Sequence, residues 1–82
     1  MRIDKFLNSV NITKRRSVAQ DMISNKVVLI NNVVVKSSKN VEIGSKITIN
    51  YLNETKKYEA LQIPTTKSTP KSLQDKYIKE VS

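Results

Sequence analysis

Three consecutive cations, Lys14, Arg15 and Arg16, follow Thr13 in a chain of 82 residues. An ammonium beside two guanidinium forks is a ligand set for phosphate oxygens. Thr13 is a good N-cap, so the run is expected at the start of a helix. That end carries the positive pole of the helix dipole, and each cation there costs about 0.3–1 kcal/mol. The unpaired N–H groups of a first helical turn already form an anion site, which the cations would complete. Charge that is unfavourable on its own becomes favourable once a phosphate arrives.

On a helical wheel Arg16 lies at the edge of the apolar stripe, beside Gln20, and its guanidinium can reach outward. Lys14 flanks the opposite edge. Arg15 points nearer the core, so its stem is expected to cover the first helix while its head snorkels out. Arg2 and Lys5 come from the preceding helix, and Lys36, Ser38 and Lys39 follow a predicted hairpin strand. Together these eight residues are the candidate RNA-binding set. The net charge is +8, and residues 1–39 carry eight cations and two acids against seven and five in residues 40–82. A merely solubilising excess would be spread evenly, so one basic face is expected.

Other chemistry finds little support. The chain has no cysteine and no histidine, which removes disulfides, Cys-based zinc sites and the commonest general base. One glycine cannot build a phosphate-cradling loop. Asp4 and Asp21, the acids of the first half, are each better explained by helix electrostatics. No enzymatic activity and no cofactor or metal are expected. The N-terminus, MRIDKFL, has neither the apolar run of a span nor a leader cleavage site, so a cytoplasmic protein without membrane contact is expected.

The elements that must position the cations follow from periodicity. Ile3, Phe6, Leu7 and Val10 recur at helical spacing, with Asp4, Lys5, Asn8 and Ser9 on the other side. Asp4 suits the first turn and could hold Arg2 or Lys5. Asn11 breaks the pattern. The second helix, capped by Thr13, would bury Val18, Ala19, Met22 and Ile23, and Asn25 would close it in a left-handed conformation. Val27 to Ile30 and Val33 to Lys36 read as a hairpin around Asn31-Asn32, a pair that tolerates a type I′ turn. Gly44 separates Val41-Glu42-Ile43 from a strand over Lys46 to Tyr51, and a fourth strand is expected from about Lys57 to Ile63. After Pro64 comes a polar linker. Thr69 and Pro70 then open a short amphipathic helix with Leu73, Tyr77 and Val81 aligned.

The expected fold is therefore α+β: two N-terminal helices on a small antiparallel sheet, plus a short C-terminal helix. Residues 1–63 form the domain, and 64–82 form the linker and last helix. Phe6 belongs to the core, and Tyr51 and Tyr58 fall in strands, so no platform for stacking unpaired bases is visible. The cationic helix end is not followed by a row of residues that could read base edges, which disfavours sequence-specific DNA. The surface suits the backbone and shape of folded RNA. If about five phosphates are engaged, affinity should fall by roughly two to four powers of ten between 50 and 200 mM salt.

In order along the chain, Met1 to Leu7, Lys14 to Ala19, Ile23, Val27 to Asn31, Lys36, Val41, Gly44 and Ile47 resemble the S-four-type RNA-binding domain, the alpha-L RNA-binding motif. The resemblance covers roughly residues 1 to 51. It implies RNA contacts for Arg2, Lys5 and Arg16 with Lys14 and Arg15 beside them, and a structural role for Asp4. Asn25, Asn32 and Ser45 depart from the residues the family often has, Gly at the first two positions and Asp at the third. The start MRIDKFL with KRR following resembles the small stand-alone RqcP/YabO group and the Hsp-fifteen type of heat-shock protein. That likeness implies, as partners, rRNA of the large ribosomal subunit, peptidyl-tRNA and a quality-control factor, with the chain acting as a monomer in ribosome-associated quality control. A general structured-RNA chaperone, or an adaptor working through the Leu73/Tyr77/Val81 helix, remains the alternative.

Overall fold

A computed structural model describes residues 1–64 and 74–81. Helix α1 spans Ile3–Ser9 and α2 spans Arg16–Ser24. Strands β1 (Val28–Ile30), β2 (Val33–Val34), β3 (Lys46–Asn50) and β4 (Thr55–Ala60) follow, then a single-turn helix α3 (Gln74–Tyr77) and strand β5 (Ile78–Val81). The five strands form one antiparallel sheet in the order β2-β1-β3-β4-β5. This is the expected α+β architecture, with one more strand than the periodicity suggested.

Both helices pack on one face of the sheet because their apolar residues and the alternating strand positions meet there. Ile3, Phe6, Leu7 and Val10 of the first helical segment are fully buried, as are Val28, Ile47 and Ile49. The register sets Val28 opposite Ile49 and Ile30 opposite Ile47, so these four share a face. Ala19 and Ile23 close the core from α2. Val18, expected in that stripe, is 43% exposed, because the stripe of so short a helix is only wide enough for Ala19, Ile23 and the half-buried Met22.

The chain reverses at left-handed residues. Asn11 (φ 64) ends the first helical segment, and the Leu7 carbonyl accepts the N–H groups of both Ile12 (3.0 Å) and Thr13 (3.2 Å). Thr13 is thereby tied to α1 and cannot cap α2. The second helix starts at Arg16 with Arg15 as N-cap, so Lys14 and Arg15 precede the helix instead of sitting inside it. At its far end Lys26 (φ 62), not Asn25 (φ −82), is left-handed. Asn25 instead donates its Nδ2 to the Asp21 carbonyl at 2.8 Å. Asn31 (φ 52) and Asn32 (φ 67) take the positive φ values that the hairpin requires, and Gly44 (φ 89) does so in its turn.

Two strands are shorter or displaced. The second hairpin strand holds only Val33 and Val34, and Val41 to Ile43 form no strand: Val41 is buried while Ile43 is 70% exposed. The fourth strand begins at Thr55 and ends at Ala60. The C-terminal helix does not run to Val81. Ile78–Val81 pairs with β4 instead, and Ile78 is buried opposite Ala60. Strand pairing satisfies the backbone along β4 and buries Ile78, which a lone helical turn could not do. Thr69, Pro70 and Leu73 lie outside the described residues.

Candidate nucleic-acid interface

Asp4 is the second residue of α1, and its side chain is fully buried. A carboxylate there must be satisfied on both oxygens. Oδ1 accepts the backbone N–H of Lys5 at 2.8 Å and forms an ion pair with Arg2 Nε at 3.4 Å. Oδ2 accepts Arg16 Nε at 3.2 Å and Gln20 Nε2 at 3.0 Å. Arg16 and Gln20 are four residues apart on one face of α2, so both reach the same oxygen across the interface between the helices. Burial alone would raise the carboxyl pKa. The bonds from Gln20, Arg16 and the Lys5 N–H, with the Arg16 charge, outweigh it and hold Asp4 below its ordinary value. Asp4 is therefore an anion at neutral pH.

The consequence is that one buried charge fixes two arginines. Arg2 and Arg16 are 47% and 45% exposed, and each meets Asp4 through Nε. Arg16 thus reaches the carboxylate by Nε while nearly half of its side chain stays open to solvent. Arg2 leans on the loop beyond β2, where its Nε donates to the Ser37 carbonyl at 3.4 Å and Nη2 to Ser37 Oγ at 3.5 Å. That loop is stitched to the N-terminus: Ile3 N–H donates to the Lys39 carbonyl at 2.7 Å, and Val41 N–H to the Met1 carbonyl at 2.8 Å. These two backbone bonds pair Arg2 with Asn40 in an antiparallel bridge. A turn closed by Lys39 N–H on the Lys36 carbonyl (3.0 Å) then displays Lys36, Ser38 and Lys39, all exposed, beside Arg2.

The remaining predicted residues are arranged more loosely. Lys5 is exposed on α1, and the Asp4 network uses its backbone, not its ammonium. Lys14 and Arg15 are exposed just before α2, so Arg15 does not lay its stem into the core as the helical wheel implied. The first turn of α2 has no acidic residue and no side-chain cap from Arg15, and its Val18 N–H donates to the Arg15 carbonyl at 3.1 Å. The structure brings Arg2, Arg16 and the Lys36–Lys39 turn together, with Lys14 and Arg15 at the margin. Sequence reasoning set Asp4 beside Arg2 but missed Gln20, Ser37 and the link from Asp4 to Arg16. The four-residue spacing of Arg16 and Gln20 was a local signal for the last of these.

Residues 1–47 match the S4 domain. Over 78 residues the chain is 45% identical to a protein of Helicobacter pylori (strain J99 / ATCC 700824) described as an RQC P-site tRNA stabilizing factor, covering 95% of this chain and 93% of the relative. Among solved structures, heat shock protein 15 of Vibrio cholerae, described as trimeric, superposes with a TM-score of 0.90 at 28% identity over 100% of this chain and 82% of that one. The solution structure of a hypothetical protein, HP1423, gives 0.87 at 41% identity over 100% and 98%. The helix pair, the sheet behind it and the order of the matched residues agree with these relatives: the chain belongs to the S4 domain family.

Proposed function

We propose that this protein binds rRNA of the large ribosomal subunit and the tRNA in its P site, and acts without catalysis in ribosome-associated quality control of stalled peptidyl-tRNA. The observation that carries the reading is the buried Asp4 carboxylate, which holds two half-exposed arginines, Arg2 and Arg16, at one point of the surface. Arginines fixed in this way lose less side-chain entropy when they meet phosphate. Lys5, Lys14, Arg15 and the Lys36, Ser38 and Lys39 turn extend the contact along an RNA backbone. The similarity to RQC P-site tRNA stabilizing factors supports the ribosomal address. Residues 1–63 act as the RNA-binding unit, and one copy of the chain works per subunit in the cytoplasm. Among the described residues no helix is long and apolar enough to cross a membrane.

The test is co-sedimentation of the purified chain with large ribosomal subunits through sucrose gradients at moderate salt. Arg16→Ala should be lost from the subunit fraction, while Arg15→Ala, which removes a side chain without a fixed anchor, should be largely retained. Equal retention of the two variants would sink the assignment. Equal affinity for subunits and for an unrelated RNA hairpin would favour a general RNA chaperone.

A further inference from the structure

Gln20 is exposed on α2, carries no charge and was not among the expected binding residues. Its amide nevertheless donates to Asp4 Oδ2 at 3.0 Å, the same oxygen that takes Arg16 Nε at 3.2 Å. Only the NH2 end of an amide can donate to a carboxylate, so this contact fixes which way Gln20 points. An arginine facing a free carboxylate prefers a bidentate fork that engages a terminal nitrogen as well as Nε. Such a fork would turn Arg16 inward and consume a donor that a phosphate needs. Here Gln20 takes the second acceptor position of Oδ2 beside Arg16 Nε, so that oxygen has no place left for a terminal nitrogen of Arg16, while Oδ1 accepts the Lys5 N–H at 2.8 Å.

We propose that Gln20 is a positioning residue for RNA binding: it shares the Asp4 carboxylate with Arg16 and so keeps the terminal nitrogens of Arg16 turned toward the RNA. The idea rests on the functional reading above. It separates from a generic cationic surface because Gln20→Ala leaves the net charge unchanged. Gln20→Met is the sharper variant, since it keeps the side-chain length and replaces the amide with a group that cannot donate.

Titration of the chain against purified large ribosomal subunits, together with NMR titration of the Asp4 carboxyl carbon in the free protein, tests it. Gln20→Ala and Gln20→Met should each bind subunits about tenfold more weakly, the scale of one charge-assisted contact. The salt dependence should become shallower by about one unit of slope. In both variants Asp4 should titrate at higher pH than in the wild type, because a bond to its charged form is gone. In an Arg16→Ala background, Gln20→Ala should cause no further loss, because its effect runs through Arg16. An additive loss in that background, or wild-type affinity in Gln20→Met, would overturn the proposal. Failure of the wild type to bind subunits overturns the functional reading, and this inference with it. Intact wild-type binding with an unshifted Asp4 titration in the variants overturns the role of Gln20 alone.

Discussion

A single carboxylate joins the two helices to the arginines of the proposed binding surface. Asp4 is buried, and its partners Arg2 and Arg16 are half exposed, so its worth lies more in hydrogen bonds and orientation than in screened surface attraction. Asp4→Asn removes the charge and turns a donor toward groups that themselves donate. It should cost about 1–3 kcal/mol at neutral pH. Because the folded-state pKa lies below the ordinary aspartate value of 3.8, the stabilisation by Asp4 is complete above about that pH and fades as pH falls through the lower value. Thermal melts of wild type and Asp4→Asn should therefore keep a steady gap from neutral pH down to about 3.8 and converge only below it. Thr13 is the opposite case: its Oγ1 is buried with no hydrogen-bond partner among the described residues. Thr13→Val should raise stability by about 1 kcal/mol, read as a higher melting temperature. The residue types at the interface were legible because Arg2, Lys14, Arg15 and Arg16 are cations wherever they lie. The burial of Asp4 was not, since an acid in a first turn looks the same whether it faces water or a second helix twelve residues further on.

Elements that reverse the chain carry its local strain. Lys26, Asn31 and Asn32 all adopt positive φ without being glycine. Lys26 has no side-chain bond that compensates among those described, whereas Asn31 accepts the Lys46 N–H at 3.1 Å through Oδ1. Lys26→Gly should stabilise the fold by about 0.5–1 kcal/mol, because the left-handed conformation favours glycine. Asn31→Gly should gain less, since it also forfeits that bond; comparing the two denaturation midpoints checks the ranking. The hairpin itself was readable because Asn-Asn flanked by aliphatic runs is a local signal. The start of α2 was not, because the cap residue Thr13 is claimed by the Leu7 carbonyl through a contact outside its own helix. The end of the chain misled for a similar reason. Tyr77 and Val81 fit a helical spacing, but Ile78 gains more by pairing opposite Ala60, and only the neighbouring strand reveals that choice.

At the scale of the whole molecule, the helices and the Lys36–Lys39 turn form the proposed binding side, and the sheet behind them must hold that side in shape. If the C-terminal segment were a separable adaptor, removing it would leave the rest untouched. Its contacts argue otherwise. β5 covers the outer edge of β4, Ile78 is only 5% exposed, and the Tyr77 carbonyl accepts the N–H of Leu61 at 2.7 Å. Losing a buried isoleucine alone costs about 2–5 kcal/mol. In a domain of this size each kcal/mol shifts the melting temperature by roughly 4–8 °C. A chain ending at Pro64 should therefore melt at least about 10 °C lower, and Ile78→Ala should account for much of the drop, while Lys79→Ala, exposed on the same strand, should change little. Below its own melting temperature the shortened chain retains Arg2, Asp4, Arg16 and Gln20, so it should still bind large ribosomal subunits with the steep salt dependence of several phosphate contacts. An unchanged melt would mean that β5 is only an appendage, whereas lost binding by a folded truncation would place part of the RNA contact on the C-terminal strand.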